Sequence, residues 1–486
     1  MKAITLGGVE EMKSVVKKIG NIFRNFGESV AKGNLWVKLS LIIMGAGYLG
    51  VGQVAKAVLM TVVEAVFVLY MLLVGVPYLS KFGTLGDVQY KSEFNFATMK
   101  NEVNNYDHSF MILLFGVITI ILIVAFLCIY IANMIYVYTL QKRKEQGIAI
   151  NSFKKDLRSL LNERFHITIL ALPVLGVVVF TIVPLIIMIA VAFTNYDQNH
   201  MPPASLFTWT GVENFKDLIT TSTTITFGYS FGKVIIWTFV WAFFATFTTY
   251  FGGILMAKFI NNPKTKVQKL WRTLFVVTIA VPQFVSLLLV RYFFANTGIV
   301  NTICSQIGVT DFLTKIGLVR EGLGYIPFLS SPGWAHFMII MINIWVGVPY
   351  QMLIATGVLM NIPNDLMESA KIDGASSFQI FKSITMPYML FVTGPSLITQ
   401  FIGNINNFNV IYLLTQDVYK TTDQLLANSS AKEVDLLVTW LFRLTSEQYN
   451  YKMASVIGCV VFVICAIFTL IAFRRMTAGD KEESFQ

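Results

Sequence analysis

Apolar runs about as long as a bilayer is thick alternate with polar stretches along most of the chain. They fall near residues 57–79, 109–138, 167–193, 230–256, 273–296, 335–360, 388–413 and 453–473. Crossing ~30 Å of hydrocarbon takes roughly 20 apolar residues in a helix. The pattern predicts an all-α, polytopic membrane protein with about eight transmembrane helices. Two shorter patterns stand apart. Val15, Ile19, Ile22, Phe23 and Phe26 recur at helical spacing among Lys13, Lys17, Lys18 and Arg24, which suits a helix on the inner membrane surface, one packed on a partner, or one simply solvated. Residues 361–387 return to polarity between two spans and carry one glycine, Gly374, before Pro387.

Composition agrees: 55% of the 486 residues are hydrophobic and only 13% charged. Threading the helices in order places 25 Lys and Arg in the segments 1–56, 139–166, 258–272, 361–387 and 474–486, against 9 in the alternate ones. Basic residues favour the cytoplasmic side, so both termini are expected there. The net charge of +10 is then a topology signal and gives no support to nucleic-acid binding. Trp209, Trp271, Trp334 and Trp440 lie near predicted helix ends, as interfacial aromatics do.

Several chemistries leave no trace. Gly45, Gly47 and Gly50 spell G-x-G-x-x-G, but beside a membrane span, where close helix packing or a bend explains them better than a dinucleotide site. There is no G-x-x-x-x-G-K-[ST] sequence to cradle ATP phosphates. The four histidines and four cysteines show no metal-binding spacing, and no external disulfide is expected within the chain. Proton-coupled carriers need titratable groups at membrane depth. Glu64 is the only clearly embedded acid, and it belongs to the first span. The chain is therefore read as a transporter and not as an enzyme. If ATP drives it, another polypeptide hydrolyses the ATP, and force arrives through a cytoplasmic surface.

Residues 361–387 are suited to that task. Asn364 is a candidate N-cap with Asp365 in the first turn, Gly374 suits a left-handed helix end, and a second helix starts near Ser376 or Ser377. Leu366, Met367 and Ala370 share one face, Phe378 and Phe381 another. Local pattern alone leaves open whether this is a docking device or an ordinary connection.

Glu368-Ser369-Ala370, then Gly374, then Ile384-Thr385-Met386-Pro387 resembles the EAA motif of bacterial ABC-importer permeases, with Ser369 for alanine and Met386 for leucine. Phe193-Thr194-Asn195-Tyr196-Asp197, Gly211-Val212-Glu213-Asn214-Phe215, Asn343 through Tyr350, Asn404 through Phe408 and Asp435 through Trp440 extend the similarity over most of 167–474. The chain is thus similar to MalF-type oligosaccharide permeases, especially the maltodextrin permeases of Gram-positive bacteria. That resemblance implies a MetI/MalF-like six-helix core at 167–474 with an EAA loop at 362–387. Before the core come a cytoplasmic interfacial segment (1–56), a helix pair (57–140) and a basic linker (141–166); a cytoplasmic tail (475–486) follows it.

The resemblance also implies function and partners. The chain is expected to be a subunit of an ATP-driven importer of maltose or maltodextrin in a bacterial plasma membrane; a galacto-, arabinogalacto- or raffinose-type sugar is the alternative substrate. A stand-alone ion-coupled carrier is the competing class. Implied partners are a second, MalG-like permease, two cytoplasmic ATPases that bind the ATP and magnesium, an extracellular lipid-anchored solute-binding protein, the oligosaccharide and membrane lipid. Coupling falls to Glu368, Ser369, Ala370, Asp373, Gly374, Ile384 and Pro387. Sugar contact falls to Trp345, Val346, Gly347, Tyr350, Gln400, Gly403, Asn404 and Asn407. An aromatic face and uncharged amides suit a pyranose. The same amides could instead glue helices together. Asn404 and Asn407, three apart, are expected on one helix face. Gly403 stands where some relatives have phenylalanine, so either the pocket is expected to be wider or the ring to come from elsewhere.

Overall fold

Every apolar run becomes helix, but two of the eight are interrupted. The computed structural model describes residues 2–96, 99–221, 226–262 and 264–477; most of the expected tail, 478–486, lies outside them. Among the described residues, six helices are long and apolar enough to cross a bilayer alone: Val54–Ser80, Ser109–Glu145, Phe165–Val191, Phe227–Ile260, Pro332–Leu359 and Tyr451–Arg474.

The span expected at 273–296 is instead a pair of helices, Gln268–Ala280 and Gln283–Phe293, bent by 95°. The cause is local: Pro282 disfavours helical backbone at the residue before it, and Val281 is extended with ψ 125°. The span expected at 388–413 divides too. Met386–Ile405 ends at Asn406, and Asn407 caps a new helix, Phe408–Thr415, by accepting the Val410 N–H. Counting the bent pair as one span, the described residues offer up to seven, and Met386–Ile405 lies where the remaining one is expected.

The chain forms two compact units. The first holds the described residues up to 190 with 199–209. Its long N-terminal helix, Lys2–Lys32, packs Phe26 and Val30 against a cluster of Val37, Tyr48, Ala57, Met134 and Val137. Val16, Ile19 and Phe23 on the same helix are exposed. Lys56 is buried and forms an ion pair with Asp156. On the opposite side of the charge map, an antiparallel hairpin pairs Ser92–Asn95 with Lys100–Val103.

The second unit holds 191–198 and the described residues from 210 onward. Its centre is the crossing of Phe227–Ile260 with Pro332–Leu359, flanked by Met386–Ile405. Small residues permit the approach. A Cβ on Gly253 would lie 2.4 Å from Gln351 Cβ, and one on Gly252 would lie 2.8 Å from Val348 Cγ2. Trp440, expected at the membrane interface, is instead fully buried in this unit, its indole N–H donating to the Ser429 carbonyl at 2.9 Å. Arg291, within the run at 273–296, pairs with Asp417 at 2.8 Å.

Three helices contain a π turn just before a proline: Met71–Gly75 before Pro77, Val178–Ile182 before Pro184, and Phe381–Thr385 before Pro387. A proline ring clashes with the carbonyl four residues back, and a widened turn moves that carbonyl aside.

Candidate functional site: a projecting loop and a polar seam

The 361–387 stretch is built from local rules. Its first helix is Asn364–Ile372. Asn364, expected as the N-cap, is instead the first helical residue, and Pro363 precedes it with no side-chain cap. The helix closes with the paired bonds of a Schellman end: Ala375 N–H to Ala370 O at 2.9 Å and Gly374 N–H to Lys371 O at 3.1 Å. Gly374 has φ +80°, as that turn demands. Ser376 then starts the helix Ser377–Ile380 with a capping box to Gln379. Ile380 and Thr385 are buried, and Lys258 sits 4.5 Å over the Phe381 ring. Phe378 does not share that inward face: it points out.

The result is a stiff foot with an uncovered outer side. Glu368, Ser369, Asp373, Gly374 and Pro387 are exposed, and Ala370 and Ile384 are half-buried. Ile372 is 85% exposed and Phe378 71%. Both stand open beside the charged Lys371, Asp373 and Lys382.

The residues expected to hold sugar separate into two groups. Trp345, Val346, Gly347 and Tyr350 line a cleft of about 590 Å³, with Phe275, Thr278, Gln283 and Ser286 of the bent pair opposite. Trp345 and Tyr350 are each 57% exposed. Polar groups at Thr278, Gln283 and Ser286 were missed from sequence; the signal was the Val281-Pro282 break that folds the pair over this wall. Gly347 also serves packing, since a Cβ there would lie 2.7 Å from Thr249 Cγ2. Gly347→Val is expected to force these helices apart and cost about 1–3 kcal/mol, read as less folded protein surviving detergent extraction.

Gln400, Asn404 and Asn407 do not line that cleft. Asn404 is buried, donates to Thr246 Oγ1 at 2.9 Å, and accepts the Trp241 indole N–H on its carbonyl at 3.0 Å. Gln400 donates to Thr249 Oγ1 at 3.1 Å and accepts from Gln351 at 2.8 Å. Asn407 is not on the Asn404 helix face as expected, because the helix has ended; it donates to Asn404 Oδ1 at 3.3 Å and caps the next helix. With the Tyr250–Thr393 hydroxyl pair at 2.7 Å, these groups make a polar seam joining three helices. Amides at membrane depth need partners, and here neighbouring helices supply them. Gly403 is exposed, with open space where a side chain would begin.

At the other end of this unit, residues 416–447 form a charge-locked platform. The fully buried Asp435 carboxylate accepts from Arg443 Nη2 at 3.1 Å, Thr439 Oγ1 at 3.0 Å and the Lys432 N–H at 2.8 Å. Glu433 accepts from Thr421 and Thr422 hydroxyls at 2.5 and 2.9 Å. Partial burial pushes the Glu433 carboxyl up, but these hydroxyls and backbone amides outweigh it and bring it down to about 2. A carboxyl lowered in the fold stabilises above its ordinary value of 4.5 and loses that share as pH falls towards 2. Protection of this segment against hydrogen exchange is therefore expected to be the same in mildly acidic as in neutral medium.

Residues 250–477 match the family model described as "Binding-protein-dependent transport system inner membrane component". The maltodextrin transport system permease protein MalC of Streptococcus pneumoniae is 32% identical over 445 residues, covering 91% of this chain and 96% of that protein. The chain belongs to this permease family. MdxF, the maltodextrin permease of Bacillus subtilis, is 31% identical over 91% of the chain and 95% of its own length. GanP of Bacillus subtilis, a galactooligosaccharide permease, is 30% identical over 83% of the chain and 92% of its own length. As a family member the chain is a multi-pass membrane component of an ABC-type importer and not an enzyme. Its projecting loop, at 361–387, falls within the region that the family model matches.

Proposed function

We propose that this chain is one of two permease subunits of an importer for maltose and maltodextrins, worked through the 362–387 foot by a separate ATPase. What carries the substrate reading is that two relatives aligned over 91% of the chain are maltodextrin permeases. The cleft supports it: Trp345 and Tyr350 offer aromatic faces to pyranose C–H groups, while Thr278, Gln283 and Ser286 offer uncharged hydrogen bonding. The similarity of GanP keeps a galactooligosaccharide as the second reading.

Two cytoplasmic ATPases bind ATP and magnesium, and their closure presses on Glu368, Ser369, Ala370, Asp373, Gly374, Ile384 and Pro387. A MalG-like permease completes the pathway, and an extracellular lipid-anchored binding protein delivers sugar. Both termini face the cytoplasm of a bacterial cell, as the 25-to-9 division of basic residues favours. The working body runs from 167 to 474. Within the sugar set, the cleft residues Trp345, Val346, Gly347 and Tyr350 touch substrate directly. Gln400, Asn404 and Asn407 act by holding the wall in place, and Gly403 leaves space beside it.

The experiment is competitive uptake. Cells relying on this importer are expected to take up labelled maltotriose, with unlabelled maltodextrin competing and a galactooligosaccharide not; the reverse order transfers the assignment to the second reading. Trp345→Ala is expected to lower maltodextrin uptake about tenfold, the loss of roughly one aromatic–sugar contact, with subunit assembly unchanged. Unchanged uptake would show that the cleft is not the pathway.

A further inference from the structure

We propose that residues 35–50 form a re-entrant loop seated in the inner leaflet, with lipid tails covering its apolar side and Glu64 anchoring it. The short helices Leu35–Leu39 and Ala46–Gly50 are joined by non-helical backbone; the first packs against the span Ser109–Glu145, and the second against both that span and Val54–Ser80. Its depth is readable from those spans. The Met44 N–H donates to Glu64 Oε2 at 2.8 Å, and the Met44 carbonyl accepts from Asn133 Nδ2 at 3.0 Å. Tyr130 donates to the Leu41 carbonyl at 2.9 Å.

At 1.5 Å per residue, Glu64 is about 12 Å from Lys56 along its helix, and Tyr130 is about 18 Å from Lys142 along the other. Gly50, by contrast, meets Lys144 at the basic end, its carbonyl accepting from Nζ at 2.7 Å. The chain thus descends from the basic rim to Leu41–Met44 and returns. Backbone that is not helical survives at such depth only when its polar groups are satisfied by protein, which is what Glu64, Tyr130 and Asn133 provide.

The opposite side of the loop is apolar and open: Ile42 is 75% exposed and Leu35 71%. The glycines make the seat close. A Cβ on Gly45 would lie 2.2 Å from the Ala57 carbonyl, and one on Gly47 would lie 2.2 Å from Val137 Cγ1. The segment is continuous with two membrane-spanning helices, and lipid is what surrounds them at that level. This assigns the embedded carboxylate of the first span a use unrelated to proton transfer.

The test places one cysteine at Ile42 in the full chain, with Cys128, Cys304, Cys459 and Cys465 replaced, expressed with its partner subunits and labelled with bimane in native membranes. Spin-labelled acyl chains are expected to quench it strongly and aqueous iodide weakly, with a Gln146→Cys control showing the opposite. Glu64→Ala is expected to raise iodide quenching at Ile42→Cys several-fold, while Glu64→Gln, which keeps an acceptor, does not. Iodide quenching equal to the Gln146→Cys control with Glu64 in place overturns the proposal, as does protection from both quenchers, which would mean a protein partner covers the loop. If Glu64→Ala does not reach the membrane, the Ile42→Cys result on the unaltered anchor decides the depth.

Discussion

Gly374→Val is expected to abolish uptake while leaving the subunit in the membrane at normal level. The position has φ +80° in the turn that ends Asn364–Ile372, a backbone region that costs an ordinary L-residue roughly 1–2 kcal/mol and a β-branched one more. No atom lies within 4 Å of a Cβ placed there, so the penalty is one of backbone geometry and not of crowding. Relieving it breaks the Ala375–Ala370 and Gly374–Lys371 bonds and re-aims Ser377–Ile380, and with it Phe378. The spans are untouched, so folding persists and coupling fails. Uptake of labelled maltodextrin, measured beside the amount of subunit in the membrane, checks this. Gly374→Ala should retain partial uptake, and wild-type uptake by the valine variant would contradict a coupling role for the loop.

Asp435→Ala has the largest expected effect on stability. Asp435 is wholly buried, and it is the main partner of a guanidinium that is itself 6% exposed. Removing one member of a buried pair costs about 3–5 kcal/mol, because the other charge stays behind without compensation. Glu447 remains 3.2 Å from Arg443, but its side chain is half exposed and compensates less. The aggregation temperature of the solubilised complex is expected to fall by about 5 °C or more. Asp435→Ala combined with Arg443→Met should recover part of that loss, since no charge is then left buried without a partner. A single variant as stable as wild type would mean that water reaches the site.

Span positions were legible from the sequence because hydrocarbon imposes one requirement, length of apolar helix, that composition records directly. Gly374 and Pro387 were legible for a similar reason, since each constrains backbone locally whatever surrounds it. The break at Val281-Pro282 carried a local signal that the apolar run around it outweighed. The amides were legible only as a demand. Gln400, Asn404 and Asn407 had to find partners at membrane depth, but whether these were hydroxyls of a sugar or of Thr246 and Thr249 depended on a helix crossing set by Gly252, Gly253 and Gly347. Glu64 was visible as embedded, yet its partner is a backbone N–H twenty residues earlier. No periodicity encodes such a contact.

The proposed function requires that this subunit move sugar only when an ATPase drives its cytoplasmic foot. Reconstitution in sealed vesicles tests it most directly, comparing the chain alone with the chain plus its companion permease, ATPases and binding protein. ATP-dependent accumulation of maltodextrin is expected from the complete set and none from the chain alone. Accumulation against a gradient by the chain alone would contradict the account.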